Sequence, residues 1–236
     1  FGKLAGDDLA SGGDENVFIG ENAGHENSAG DGNVAIGYNS YYRGSTLANE
    51  GNVFVGKVAG GGDWTGTASS ANTAIGAGSM NGAMDNAQNN TAVGNSSLTA
   101  LTTGGSNVAI GKSAGVALTT GGSNTLLGKE AGKTATNLSN LVAMGDGALY
   151  TTNDTGANGS VAVGTSALGL LTTGAGNVAV GYQALLEHTT GGNNVALGFG
   201  ALYRTGGSTA STSTNNIAIG TYALGGDWAD VASSAN

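Results

Sequence analysis

Apolar residues along this 236-residue chain come in short triplets, each usually opened by Asn and closed by Gly, as in "NVAIG" from Asn33 and "NVAVG" from Asn177. The closing Gly falls at Gly2, Gly20, Gly37, Gly56, Gly76, Gly94, Gly111, Gly128, Gly145, Gly164, Gly181, Gly198 and Gly220, and the commonest step is 17 residues. Three places before it stand Val17, Val34, Val53, Thr73, Thr91, Val108, Thr125, Val142, Val161, Val178, Val195 and Ile217, all β-branched. One place before it the residue is Ile, Val, Leu or Met, apart from Phe1, and between the two sits Ala, replaced only by Phe18, Phe54 and Leu126. Three places after the Gly comes Ala or Ser, then Leu, Gly, Met or Tyr.

β-branched residues favour extended backbone, and alternate residues of a strand face opposite sides. Each triplet therefore predicts a short strand with its Val and Ile on one face, expected to be the inside, and its Ala on the other. The outer Ala and the Ala/Ser column would then let several chains approach closely around an axis. A strand this short cannot close a core alone, so the regular period predicts an all-β parallel β-solenoid, one coil per phrase, with equivalent residues stacked. Thirteen coils at ~4.8 Å each would make a rod of roughly 60 Å. Length varies only between the "AL" segment and the next Asn, so insertions are expected to project from one edge.

The opening Asn recurs at Asn16, Asn33, Asn52, Asn72, Asn90, Asn107, Asn124, Asn177, Asn194 and Asn216, with Leu141 and Ser160 breaking the column. Two readings stand: a hydrogen-bonded ladder running from coil to coil, or a turn-forming residue repeated without one.

Composition agrees with a folded array of small residues. There are 46 Gly, no Pro and no Cys, 39% of residues are hydrophobic and only 10% are charged. That is too apolar for disorder driven by charge. No stretch approaches the ~18 apolar residues of a membrane helix, and no basic start with an apolar core marks a leader, so no membrane insertion by this segment is expected. With a net charge of −9 and seven Lys plus Arg, nucleic-acid binding is disfavoured as well. One coil buries few aliphatic side chains for some 17 ordered residues, which points to further burial by oligomerisation.

The phrases "NVAIG", "NVAVGYQAL" and "NTAIG" resemble the heads of trimeric autotransporter adhesins of the YadA type. The "TTGG" turns of the 17-residue variant are similar to repeats in phage tail fibres. The resemblance covers essentially the whole chain. It implies a left-handed β-roll, a homotrimer and an extracellular place on a bacterial surface or virion. No anchor, stalk or chaperone segment is visible; Phe1-Gly2 ends one phrase and Asn236 opens another, so residues 1–236 read as a single repeat array excerpted from a longer fibrous protein.

Candidate chemistry is sparse, and no catalytic residue, cofactor or metal site is expected. "GNVFVGKV" and "SNVAIGKS" each miss a phosphate-binding loop by one residue, and the same Gly recurs without Lys in most coils. Lys3, Lys57, Lys112 and Lys129 share the slot after that Gly with Glu21, Tyr38, Asp146 and Phe199, which reads as a solvated face. His25 and His188 stand alone in different coils and are expected to be exposed rather than metal ligands. The "GGDW" loops hold both Trp residues, Asp63-Trp64 and Asp227-Trp228, and Tyr41 with Tyr42 makes a second aromatic spot. These six residues could contact a glycan, or the rings could cover a loop or a neighbouring subunit.

The leading expectation is a structural and adhesive fibre segment that spaces and presents binding to a cell-surface glycan or protein receptor. The alternative is a polysaccharide depolymerase of the tailspike type, which needs paired carboxylates in a groove.

Overall fold

A computed structural model describes residues 2–8, 13–43, 47–64, 66–152, 155–204 and 213–226. The chain forms two compact units, residues 1–122 and 123–236. The first carries β1 (Val17–Ile19), β2 (Val34–Ile36), β3 (Val53–Val55), β4 (Thr73–Ile75), β5 (Thr91–Val93) and β6 (Val108–Ile110). The second carries β7 (Thr125–Leu127), β8 (Val142–Met144), β9 (Val161–Val163), β10 (Val178–Val180), β11 (Val195–Leu197) and β12 (Ile217–Ile219), with one 3-10 turn at Thr155–Ala157. Within each unit every strand pairs in parallel with the next, phrase in register with phrase, so that Val34 meets Val53 and Val178 meets Val195. Each unit is a β-solenoid whose coils are the sequence repeats.

The two faces of the strands are the reverse of the expectation from side-chain size. The central residue points inward: Ala35, Phe54, Ala74, Ala92 and Ala109 in the first unit, and Leu126, Ala143, Ala162, Ala179 and Ala196 in the second, are fully buried. The flanking β-branched and aliphatic residues point outward and are half-buried or exposed, as in Ile110 at 41% and Ile219 at 69%. The small Ala therefore fits a narrow interior, and close approach between chains is not its role.

The interior is narrow because another side chain comes to meet the strand from across the coil. Six residues after each strand centre the chain turns inward again, and the two sizes compensate. Ala35 is matched with Tyr41, Ala74 with Met80, Ala92 with Leu98, Ala143 with Leu149 and Ala162 with Leu168, all buried. Where the strand supplies the bulk, the opposing residue is Gly: Gly60 opposite Phe54, Gly24 opposite Phe18, Gly132 opposite Leu126. A Cβ on Gly60 would lie 2.6 Å from the Phe54 ring. Ala109 and Gly115 are the one departure, with both positions small. Close packing to native density tolerates neither a void nor an overlap, which is what this alternation avoids.

The Gly that ends each strand is required by stacking. Gly94 has φ +134°, and a Cβ there would lie 2.5 Å from the carbonyl oxygen of Gly111 in the next coil. Any side chain would hold neighbouring coils apart.

The insertion after Gly60 folds back instead of projecting from an edge. Trp64 is buried at 1% exposure, the Trp64 amide donates to the Arg43 carbonyl at 3.3 Å, and buried Ser69 bonds Asn49 on one side and Ala87 on the other. Most of the other long insertion, after Tyr203, lies outside the described residues.

Candidate functional site

The Asn side chains form a buried column bonded from coil to coil. In the first unit Asn52 Nδ2 donates to Asn33 Oδ1 at 3.0 Å, Asn72 to Asn52 at 3.2 Å, Asn90 to Asn72 at 3.0 Å and Asn107 to Asn90 at 3.0 Å. The same Oδ1 also accepts the next backbone amide, beginning with the Asn33 amide on Asn16 at 2.8 Å. Each side-chain amide further donates to a carbonyl across the coil, as Asn90 does to Gly104 at 2.9 Å. In the second unit the column runs Asn177, Asn194, Asn216. Upstream of these, Asn124 accepts the Leu141 amide at 2.9 Å, and the hydroxyl of Ser160 accepts the Asn177 amide at 3.3 Å. A buried amide with both its donor and acceptor capacity used is inert structure rather than chemistry.

His188 is also interior, against the expectation of an exposed residue. It occupies the coil corner that Leu101, Leu118 and Leu171 fill elsewhere, with Nε2 2.7 Å from the Gly191 carbonyl and 3.2 Å from Asn194 Nδ2. Burial, opposed by the Gly191 bond, lowers its pKa from the ordinary 6.5. The unfolded chain then binds the proton more readily, so stability from this site is complete above the unfolded value and is lost as pH falls below about 6.5. Replacing His188 with Leu is expected to flatten the pH dependence of the unfolding midpoint between pH 6.5 and 5, read by circular dichroism in urea; an unchanged slope would contradict this origin.

The aromatic candidates separate into an inner and an outer group. Tyr41 and Trp64 are buried and pack with Phe54 in a triangle of ring centroids 5.1 to 5.4 Å apart. The Tyr41 hydroxyl meets Asn27 Oδ1 at 3.4 Å, and burial raises its pKa. These two rings cover an interior widened by the insertion and are out of reach of a glycan on this chain's surface. Tyr42 lies at the surface, between the His25 ring at 5.3 Å and the Arg43 guanidinium at 5.7 Å. Arg43 is ion-paired with exposed Asp63, which first by its hydrogen bond and then by its charge raises the Arg43 pKa. Asp227 and Trp228 lie outside the described residues.

The slot after the strand-ending Gly faces solvent, as Lys3, Lys57, Lys112 and Lys129 show. In the second unit it carries Tyr182 and Phe199, which Tyr222, one residue beyond the slot of the next coil, extends to an aromatic row. Tyr182 and Phe199, 17 residues apart, stack at 5.2 Å and 14°, and Tyr222 meets Phe199 edge-on at 5.1 Å, all three more than 40% exposed. The stacked faces of Tyr182 and Phe199 are turned upon each other.

Among the described residues no group of three or more His, Cys, Asp or Glu could hold a metal, and no helix is long and apolar enough to cross a membrane. Comparison with protein-family models, curated proteins and solved structures gives no match. The functional reading therefore rests on the coil itself, whose outward strand face exposes apolar side chains. Val17, Ile19, Ile75 and Ile110 in the first unit, and Met144, Val180, Ile217 and Ile219 in the second, are large apolar side chains exposed at 37% or more.

Proposed function

We propose that the chain is a segment of an extracellular structural and adhesive fibre, associated as a homotrimer through its outward strand faces, that spaces and presents contacts to cell-surface glycans or protein receptors. The observation that supports this is the exposed apolar stripe just described. Scattered apolar side chains on a surface need no explanation, whereas one face that is apolar and exposed in β1, β4 and β6 of the first unit and in β8, β10 and β12 of the second, and half-buried in the strands between, marks an association surface within each unit. Its residues are β-branched or aliphatic, flat in profile and in register, which suits packing against an identical stripe. A long series of coils that repeat one strand and one turn also fits spacing and presentation.

Native mass spectrometry at low micromolar concentration tests the assembly, with trimer expected and a stable monomer overturning it. Ile75→Lys combined with Ile110→Lys is expected to give a folded, dissociated chain, since both side chains point outward. Ala74→Lys, directed inward, is expected to unfold it. If both variants unfold alike, the outer stripe is not an assembly surface. Incubation with bacterial surface polysaccharide checks the adhesive part: retention of the polymer at unchanged length is expected, and shortening of the polymer would favour a depolymerase.

A further inference from the structure

The outer surface of the second unit has a column, one residue beyond the inward-turning Leu or Gly of each coil, that reads Lys133, Tyr150, Gly169, Leu186, Tyr203 and Gly225. Four of the six carry long side chains; Gly225 closes the series, and Gly169 stands between two of the long ones. Gly147, Tyr150, Ser166, Gly169, Leu170 and Leu186 line the resulting notch, which has a volume of 230 Å³. We infer that this notch seats a single sugar ring of a neutral glycan against Tyr150.

The shape follows from coil stacking. Coils repeat at ~4.8 Å, so the backbones of the residues flanking Gly169 in the column stand about two spacings apart, and the missing side chain opens a gap that Leu186 enters from one side only. Tyr150 receives Lys133 over its ring at 4.7 Å from the preceding coil. The following coil offers Gly169 in the same register, and its Ser166 and Leu170 line the notch beside Tyr150. Leu186 forms the opposite wall: a Cβ on Gly169 would come within 2.8 Å of its Cδ1. Leu170, 43% exposed, borders the opening.

The polar groups at the notch match hydroxyls rather than a charged or wholly apolar ligand. Ser166 is half-buried, its Oγ makes no hydrogen bond with the described residues, and it and the Tyr150 ring both border Gly147, each within 4 Å of where a Cβ would stand. The Tyr150 hydroxyl is 2.7 Å from Lys133 Nζ, which also meets Glu130 at 3.3 Å. The Tyr150 bond first, and Glu130 second, raise the Lys133 pKa and hold it charged. That charge is already balanced by Glu130, so an anionic sugar gains little from it. An aromatic face with adjacent donors and acceptors, walled by aliphatic side chains, suits a ring with one C–H face and a hydroxyl rim. The choice of a glycan rests on the adhesive reading above.

The test uses the purified chain, in whatever assembly it adopts, and neutral gluco-, galacto- and manno-configured hexasaccharides, with a uronic-acid hexamer as the charged counterpart, followed by saturation-transfer NMR and calorimetry. At least one neutral hexamer is expected to bind the wild type, and binding of none, or of the uronate alone, overturns the inference. Gly169→Tyr closes the gap with a residue that the column already carries at Tyr150 and Tyr203, pushing the tip of Leu186 aside, and is expected to weaken binding at least about tenfold. Tyr150→Leu is expected to weaken it roughly tenfold and serves if the tyrosine variant fails to fold. Unchanged affinity in either folded variant overturns the inference. Adhesion to polysaccharide-coated surfaces separates the two levels: wild type and Gly169→Tyr adhering equally defeats the notch alone, while a wild type that does not adhere defeats the adhesive reading.

Discussion

Gly60→Leu is expected to lower the stability of the first unit by about 3 kcal/mol or more, and Phe54→Ala to lower it by about 3–5 kcal/mol, yet the two together should cost well below their sum. Leucine is not barred from this site by its backbone. Gly60 has φ +61°, and Leu98, Leu149 and Leu168 hold the equivalent place at +47° to +51°. What excludes it is the Phe54 ring, 2.6 Å from the first side-chain atom. Removing the ring recreates the pairing of Ala92 with Leu98. Recovery stays incomplete because Phe54 also packs on Tyr41 and Trp64. Urea unfolding of both single variants and the double variant checks the coupling, and strict additivity would show that the two positions do not share one interior space.

Asn90→Ala is the second large effect, expected to cost about 3 kcal/mol. The substitution strands the Asn107 amide and side-chain donors, bonded to Asn90 Oδ1 at 2.9 and 3.0 Å, and leaves Gly104 O without its Asn90 donor. Both sides of the broken link are buried, so water cannot replace it. Asn90→Asp is expected to be worse at neutral pH, because a carboxylate would face Asn72 Oδ1 and the Gly104 carbonyl with no donor to offer. Burial and those oxygens would raise the folded-state pKa of the new acid above about 3.9. Its penalty is then full above the folded value and eases as pH falls through it. Thermal unfolding from pH 7 to pH 4 reads this out: the aspartate variant should approach the alanine variant, or pass it, on acidification, and a gap that widens would contradict the arrangement.

The repeat makes the coil legible in the sequence alone. Its period, the strand at each Val-x-Ile and the Gly that ends it were all fixed by columns of residue type, because each coil must present the same shape to two neighbours. The Asn column was visible as well, but only the distances from Asn33 through Asn107 distinguish a ladder from a repeated turn. The candidate glycan residues fared differently. Trp64 reads as a projecting aromatic in a Gly-rich loop, and Tyr41 reads like Tyr42 beside it, yet the first two are interior and the third is at the surface. Nothing local in the sequence separates them, since what draws Trp64 inward is the space beside Tyr41 and Phe54, residues 23 and 10 places away.

The notch at Gly169 shows the same boundary between levels. A glycine in a column of long side chains is readable once the column is known, but the column exists only after the coils are stacked. The sequence by itself determined the coil, its length and its stacking register, all of which depend on periodic local chemistry. The tertiary structure alone decided which face of each strand is inside. A period of two names two faces without ranking them. The bulkier face looked like the core, and it is the opposing Tyr, Met or Leu, arriving six residues later from across a narrow coil, that leaves room inside only for Ala and turns the Val and Ile outward.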